Sequence, residues 1–109
     1  DNINGRLLLS KVAHELGIVL VHGAVAGFAG QITTVVPGGP GLEKIYSKLS
    51  GRNRGAEIVE GNPATTPAIA AALQAQEVVK VVTGVGEILS KRMLYFNTQY
   101  NLFDLISLE

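Results

Sequence analysis

Residues 61–84 read GNPATTPAIAAALQAQEVVKVVTG. Thr66 is a good helix cap, Pro67 falls at the favoured first helical position, and Gly84 closes the far end. The helix between them is about 17 residues, or roughly 25 Å, long. Gln74, Glu77 and Lys80 follow one another at three-residue spacing, with Gln76 beside them, on a surface otherwise made of Ala, Val, Ile and Leu. A helix that is apolar around most of its circumference is buried on more than one side. Ala68, Ala70, Ala71, Ala72 and Ala75 let neighbours come close. The pattern predicts a helix wedged between a sheet and a second layer.

The flanking segments supply that sheet. Ile18–Gly27, IVLVHGAVAG, is too apolar for a strand with one wet face and reads as a strand covered on both. Gly30–Pro37, GQITTVVP, is a second, β-branched strand. The short connection between them predicts an antiparallel pair. Residues 92–98 and 101–109 form another hairpin around the turn from Asn97 to Asn101. Before the first strand, Asn4 caps a helix over Gly5–Leu16. There Leu8, Leu9, Val12, Ala13 and Leu16 recur at helical spacing as one buried face, and Gly17 ends the helix. Residues 38–63 read as a crossover, with LEKIYSKL as a short helix and AEIVE as a brief extended segment.

The composition narrows the function. The chain has 109 residues, 47% hydrophobic and 17% charged, which suits one domain with one core. Nine basic and nine acidic residues balance to zero net charge. Nucleic-acid and anionic-membrane surfaces need a positive field, so neither partner is expected. Lys44, Lys48, Arg52 and Arg54 cluster, but with Tyr46 the one aromatic residue among them for base stacking they read as a solvated loop. Cysteine is absent, which removes disulfides, Cys-ligated zinc, thiol nucleophiles and thioesters and fits a cytoplasmic protein. No apolar run reaches the ~20 residues of a membrane span. The ends of the chain suggest a piece of a longer protein.

Few residues are candidates for chemistry. His14 lies on the polar side of its helix as surface decoration. His22, in an apolar strand, reads as a hydrogen-bonded core histidine ahead of a catalytic base. No HxH or HExxH spacing occurs, and no phosphate-binding glycine loop. The charged candidates are Asp1, Arg6, Glu77 and Lys80, the last two a solvated i,i+3 pair by default.

Four segments, in order, resemble the later half of the ThiF/MoeB/HesA adenylyltransferases, relatives of the ubiquitin-activating enzymes. They are DNINGR (1–6), LGIVLVHGAVAGFAGQITTVVPG (16–38), TTPAIAAALQAQEVVKVVTGVGEIL (65–89) and KRMLYFNTQYNLFDLISL (91–108). The first is similar to the family's D-N-x-x-x-R, and the third holds its Q-A-x-E-x-x-K. The resemblance implies an enzyme that binds Mg-ATP on a Rossmann-like half and adenylates the C-terminal Gly-Gly carboxylate of a ubiquitin-like sulfur carrier. The products would serve molybdopterin or tungstopterin, thiamine or related sulfur transfer. By position, Asp1 matches the aspartate that organises Mg-ATP, and so carries the catalytic, nucleotide and metal roles. Asn2 and Arg6 match the other fixed positions, with Arg6 a nucleotide contact or a structural residue.

The Gln74–Lys80 edge looks structural, and the crossover matches the region passing over the carrier's tail. The glycine-rich nucleotide loop lies upstream in the family and is not in this chain, so the chain alone is expected to be inactive and to hold no cofactor. The family's zinc-binding cysteine pairs are missing, so no zinc is expected. The resemblance also implies a homodimer. The alternative is a non-catalytic module for carrier binding or dimerisation. The expected architecture is α/β: a mixed sheet of about four strands with helices 5–16 and 66–83 packed on it, one sheet edge and an apolar helix face left open for self-association.

Overall fold

A computed structural model describes residues 2–48 and 63–109. The chain runs α1 (Ile3–Glu15), β1 (Leu20–Ala26), β2 (Ala29–Val35), α2 (Leu42–Lys48), α3 (Thr65–Thr83), β3 (Arg92–Asn97) and β4 (Leu102–Ser107). The strands form one sheet in the order β1-β2-β3-β4. The expected four-strand α/β layer is present, but its sheet is not mixed as expected: each of its pairings is antiparallel. Two come from tight hairpins, which can join only antiparallel neighbours. The third pairs Ala29–Ile32 with Leu94–Asn97 across the chain's long middle segment. The extended segment expected at AEIVE, residues 56–60, lies outside the described residues.

Alternation along the strands gives the sheet two apolar faces. On one, Val35 and Met93 pack with Leu42 and Ile45 of α2 and with Leu108, flanked by Leu7 of α1 and Leu20. On the other, Ile32 and Phe96 pack with Ala70 of α3 and with Leu89, flanked by Ile69 and Leu73. Helices α1 and α2 therefore share one side and α3 covers the other. Gly30 makes the second side possible. It lies under the ring of fully buried Phe96, where a Cβ would collide with the ring carbons. Phe96 also stacks on Phe103, centroids 5.8 Å apart. Gly30→Ala is expected to cost about 2–3 kcal/mol, lowering the thermal midpoint by roughly 10–20 °C. A thermal unfolding curve checks this, and a loss under a few degrees would show that the ring moves freely.

The helix ends differ from the sequence expectation in register. Asn2, not Asn4, caps α1: it is extended at φ −150°, and its side chain accepts the Gly5 N–H at 2.7 Å. Helix α3 starts at Thr65, and its cap position is held by Ala64, whose side chain makes no capping hydrogen bond. A turn in which the Thr66 N–H donates to the Pro63 carbonyl at 3.0 Å starts the helix early and draws Thr66 inside it. Pro67 is tolerated there because first-turn N–H groups lack intrahelical partners in any case. At the far end Gly84 takes the left-handed conformation at φ 72°, as expected for a C-terminal glycine.

Helix α1 turns most of its expected buried stripe outward, and α3, expected to be covered on more than one side, is covered among the described residues on its sheet side. Of the expected stripe on α1 only Ala13 is buried; Leu9 is 56% and Leu16 66% exposed, and Ser10 is buried beside Ala13. On α3, Val82 is 78% exposed and Glu77 only 2%. The polar or small residues face the sheet because the sheet and its loops offer them hydrogen-bond partners. Strand β1 departs likewise: His22 is its one buried side chain outside its chain-end turns, and the other six positions are half-buried. It is an edge strand with a helix layer over each face but with its outer backbone edge unpaired within the sheet. The apolar outer surfaces of α1 and α3 fit the expectation of an uncovered helix face.

Candidate functional site

Three elements bring polar side chains together on the α1–α2 side of the sheet. Arg6 comes from the first turn of α1, His22 from the middle of β1, and Tyr46 from α2. Helix α2 has only seven residues, too few to persist by itself. It is held by Leu42 and Ile45, which are 1% and 0% exposed in the core. This places Tyr46 over the sheet, where an Arg6 guanidinium N–H donates to its hydroxyl at 3.0 Å. The Tyr46 ring also meets His22 edge-on, with centroids 6.2 Å apart and planes at 76°.

His22 is a core histidine, but its hydrogen bonding falls short of the expectation. Its Nε2 is buried and has no hydrogen-bond partner among the described residues. Burial, with a smaller contribution from the positive charge of Arg6, lowers its pKa to about 4. The imidazole is therefore neutral at pH 7, and Arg6 carries the positive charge of the cluster. Asp1, the residue expected to organise Mg-ATP, lies outside the described residues. Among the described residues no three of His, Asp or Glu converge as metal ligands. The end of α1 suits an anionic ligand nonetheless. Its first turn, Ile3–Arg6, holds no acidic side chain, and the helix dipole places its positive end there. Arg6 adds a full charge at the end of that turn.

The second polar cluster, on the other side of the sheet, is structural. Glu77 and Lys80 are not the solvated pair expected by default. Glu77 Oε1 accepts from the Thr34 hydroxyl and from the Leu89 N–H, both at 2.6 Å, and Oε2 pairs with Lys80 Nζ at 2.7 Å. Burial by itself would raise the Glu77 pKa. The hydrogen bonds from Lys80, Thr34 and Leu89 outweigh burial and hold the carboxyl below its ordinary value. Lys80 also donates to the Glu87 carbonyl at 2.8 Å, and Gln74 Nε2 to the Val21 carbonyl at 3.4 Å. The polar stripe thus pins α3 to β1, β2 and the 84–91 loop. That agrees with a structural edge and not with a reacting one.

A shallow depression of about 350 Å³ lies elsewhere, at the Arg92 end of β3 and the Ser107 end of β4. Its lining includes none of Arg6, His22 or Tyr46. The residues that sequence reasoning passed over are Tyr46 and Ser10. The signal that finds Ser10 is its place one turn beyond Arg6 on the same helix face.

Known proteins show where the chain as a whole belongs. The ThiF family model matches residues 1–109. The chain is 32% identical over 107 residues to the SAMP-activating enzyme E1 of Haloferax volcanii, covering 97% of this chain and 40% of that protein. It is also 32% identical over 113 residues to a probable molybdopterin-synthase adenylyltransferase of Pyropia yezoensis, covering 98% of this chain and 30% of that protein. In fold it is similar to E. coli MccB crystallised with selenomethionyl MccA, at a TM-score of 0.76 and 14% identity over 98% of this chain and 33% of that one. The chain belongs to the ThiF family, and it spans 30–40% of the length of these two curated relatives.

Proposed function

We propose that this ThiF-family chain is the later part of an ATP-dependent adenylyltransferase acting on a ubiquitin-like sulfur carrier. The observation that carries the reading is the family match over the whole chain, with relatives that are named as adenylyltransferases and as an E1. The substrate is the C-terminal Gly-Gly carboxylate of the carrier, and the product an acyl-adenylate for molybdopterin- or thiamine-type sulfur transfer. Residues 38–63 form the crossover that passes over the carrier's tail.

The parts of this chain have distinct tasks in the reaction. Mg-ATP, when bound, supplies the phosphorus that the carboxylate attacks. Asp1 and Arg6 are the residues of this chain that would meet it, Asp1 on the metal side and Arg6 as a fixed positive charge beside the phosphates. Asn2 caps α1, the helix on which Arg6 is displayed. Neutral His22 leaves that positive charge undiluted by a second cation. The sheet and α3 form the rigid platform beneath. The exposed apolar faces of α1 and α3 are assigned to the remainder of the full-length protein and to a second copy in a homodimer.

The test is ATP–pyrophosphate exchange by the full-length protein, started by adding a ubiquitin-like protein that ends in Gly-Gly. Carrier-dependent exchange is expected, and Asp1→Ala is expected to lower it by about a hundredfold or more. A full-length protein that binds the carrier but exchanges no pyrophosphate would instead be a non-catalytic carrier-binding module.

A further inference from the structure

Helix α1 grips the chain that follows β2 at three points in regular succession. His14 Nδ1 receives the Gly38 N–H at 3.4 Å. Ser10 Oγ receives the Leu42 N–H at 3.2 Å. The Arg6 guanidinium donates to the Tyr46 hydroxyl at 3.0 Å. On α1 these residues are four apart, which stacks them on one face, one turn above the next. Their partners 38, 42 and 46 are also four apart and run the other way. The contacts therefore form an antiparallel ladder that shortens toward the end of α1 carrying Arg6. Ser10, the middle rung, is buried at 3% exposure and satisfies an N–H at the start of α2 that has no partner within that helix.

We propose that Tyr46 is a positioning residue that fixes α2, the first helix of the crossover assigned to the carrier's tail, against α1. This rests on the adenylyltransferase reading above. Core contacts of Leu42 and Ile45 fix where α2 lies, but an apolar contact leaves a short helix free to roll. The Arg6–Tyr46 rung removes that freedom. It is directional, it carries one full charge, and the Tyr46 ring is held edge-on against buried His22, which restricts the hydroxyl to the Arg6 side. The same arginine belongs to the D-N-x-x-x-R segment. Arg6 is placed by α1 itself, whereas the orientation of α2 depends on the Tyr46 hydroxyl, so losing that hydroxyl loosens α2 and leaves Arg6 in place.

The experiment uses the full-length protein with Tyr46→Phe, which deletes the hydroxyl and keeps the ring against His22, and with Ser10→Ala, which deletes the middle rung. The first readout, amide hydrogen exchange, needs no ligand. In Tyr46→Phe the amides of 43–48 are expected to exchange about tenfold faster, with those of 65–83 unchanged. The second is pyrophosphate exchange: KM for the Gly-Gly-ended ubiquitin-like protein is expected to rise several-fold, while kcat and KM for ATP stay within about twofold. A merely structural defect would move the ATP and carrier constants together and quicken exchange in both regions. Unchanged exchange at 43–48, or an ATP KM that rises as far as the carrier KM, overturns the proposal. If the wild type shows no carrier-dependent turnover, the functional reading falls and takes the carrier assignment with it, and the amide readout still decides whether Tyr46 holds α2.

Discussion

Glu77→Ala is expected to lower the stability of the protein by about 4 kcal/mol. The carboxylate is 2% exposed and serves three donors from three elements: Thr34 on β2, the Leu89 N–H in the loop before β3, and Lys80 on its own helix. Truncation leaves the Thr34 hydroxyl and the Leu89 N–H buried without an acceptor, and leaves Lys80 with only the Glu87 carbonyl. Unsatisfied buried groups cost about 1–3 kcal/mol each, and breaking a buried ion pair from one side costs about 3–5. Glu77→Gln separates the two effects. Its amide oxygen still receives Thr34 and Leu89, while the amide NH2 in the place of Oε2 turns a donor toward Lys80, which keeps the Glu87 carbonyl, so about 2 kcal/mol is expected. Urea unfolding at pH 7 with an unchanged m-value measures both. A loss below about 1 kcal/mol in Glu77→Ala would mean that water replaces the carboxylate, and that the α3 stripe is not what fastens the helix to the sheet.

The parts of this fold that were legible in the sequence are those written in local chemistry. The hairpin at Gly27–Phe28, the turn before Leu102 and the left-handed Gly84 each depend on a few adjacent residues, and each lies where turn chemistry puts it. The short helix in LEKIYSKL was legible for the same reason. The orientation of the helices was not. Periodicity marks which residues share a face, but assigning that face to the core assumes that the helix has one apolar partner. Leu8, Leu9, Val12 and Leu16 share a face of α1, and Val78 and Val82 share one of α3, yet both faces point away from the sheet. The residues that face inward are identified by their partners, and those lie far along the chain: Thr34 is 43 positions from Glu77, and Tyr46 is 40 from Arg6. The same distance hid the ladder. Arg6, Ser10 and His14 are evenly spaced, but only the fold supplies Tyr46, Leu42 and Gly38 opposite them. The D-N-x-x-x-R resemblance drew attention to Arg6 as a nucleotide residue and away from its role as a donor to the crossover.

Acidification from pH 7 to 4.5 is expected to remove about 2.5 kcal/mol of stability through His22. Its folded pKa, about 4, lies below the ordinary value of 6.5. The unfolded chain therefore binds a proton that the folded one refuses. The contribution is fully present above pH 6.5 and is lost as pH falls toward 4, with a slope approaching about 1.4 kcal/mol per pH unit. Glu77, held below its ordinary value, adds to the loss only below about pH 4.5, the range in which a carboxyl with a lowered pKa takes up its proton. Urea midpoints at pH 7, 6, 5 and 4.5 follow the His22 window apart from that carboxyl.

The variant that isolates it is His22→Leu, which keeps side-chain bulk against Tyr46 and removes the titrating group. It is expected to flatten the curve over this window whatever its effect on stability at pH 7. Because burial outweighs Arg6 as the cause, Arg6→Gln is expected to retain most of the slope. A slope that survives His22→Leu would place the proton on another group, and would require the imidazole to reach water despite being 6% exposed. A slope lost in Arg6→Gln would make charge repulsion, not desolvation, the reason that His22 stays neutral beside the arginine that holds Tyr46.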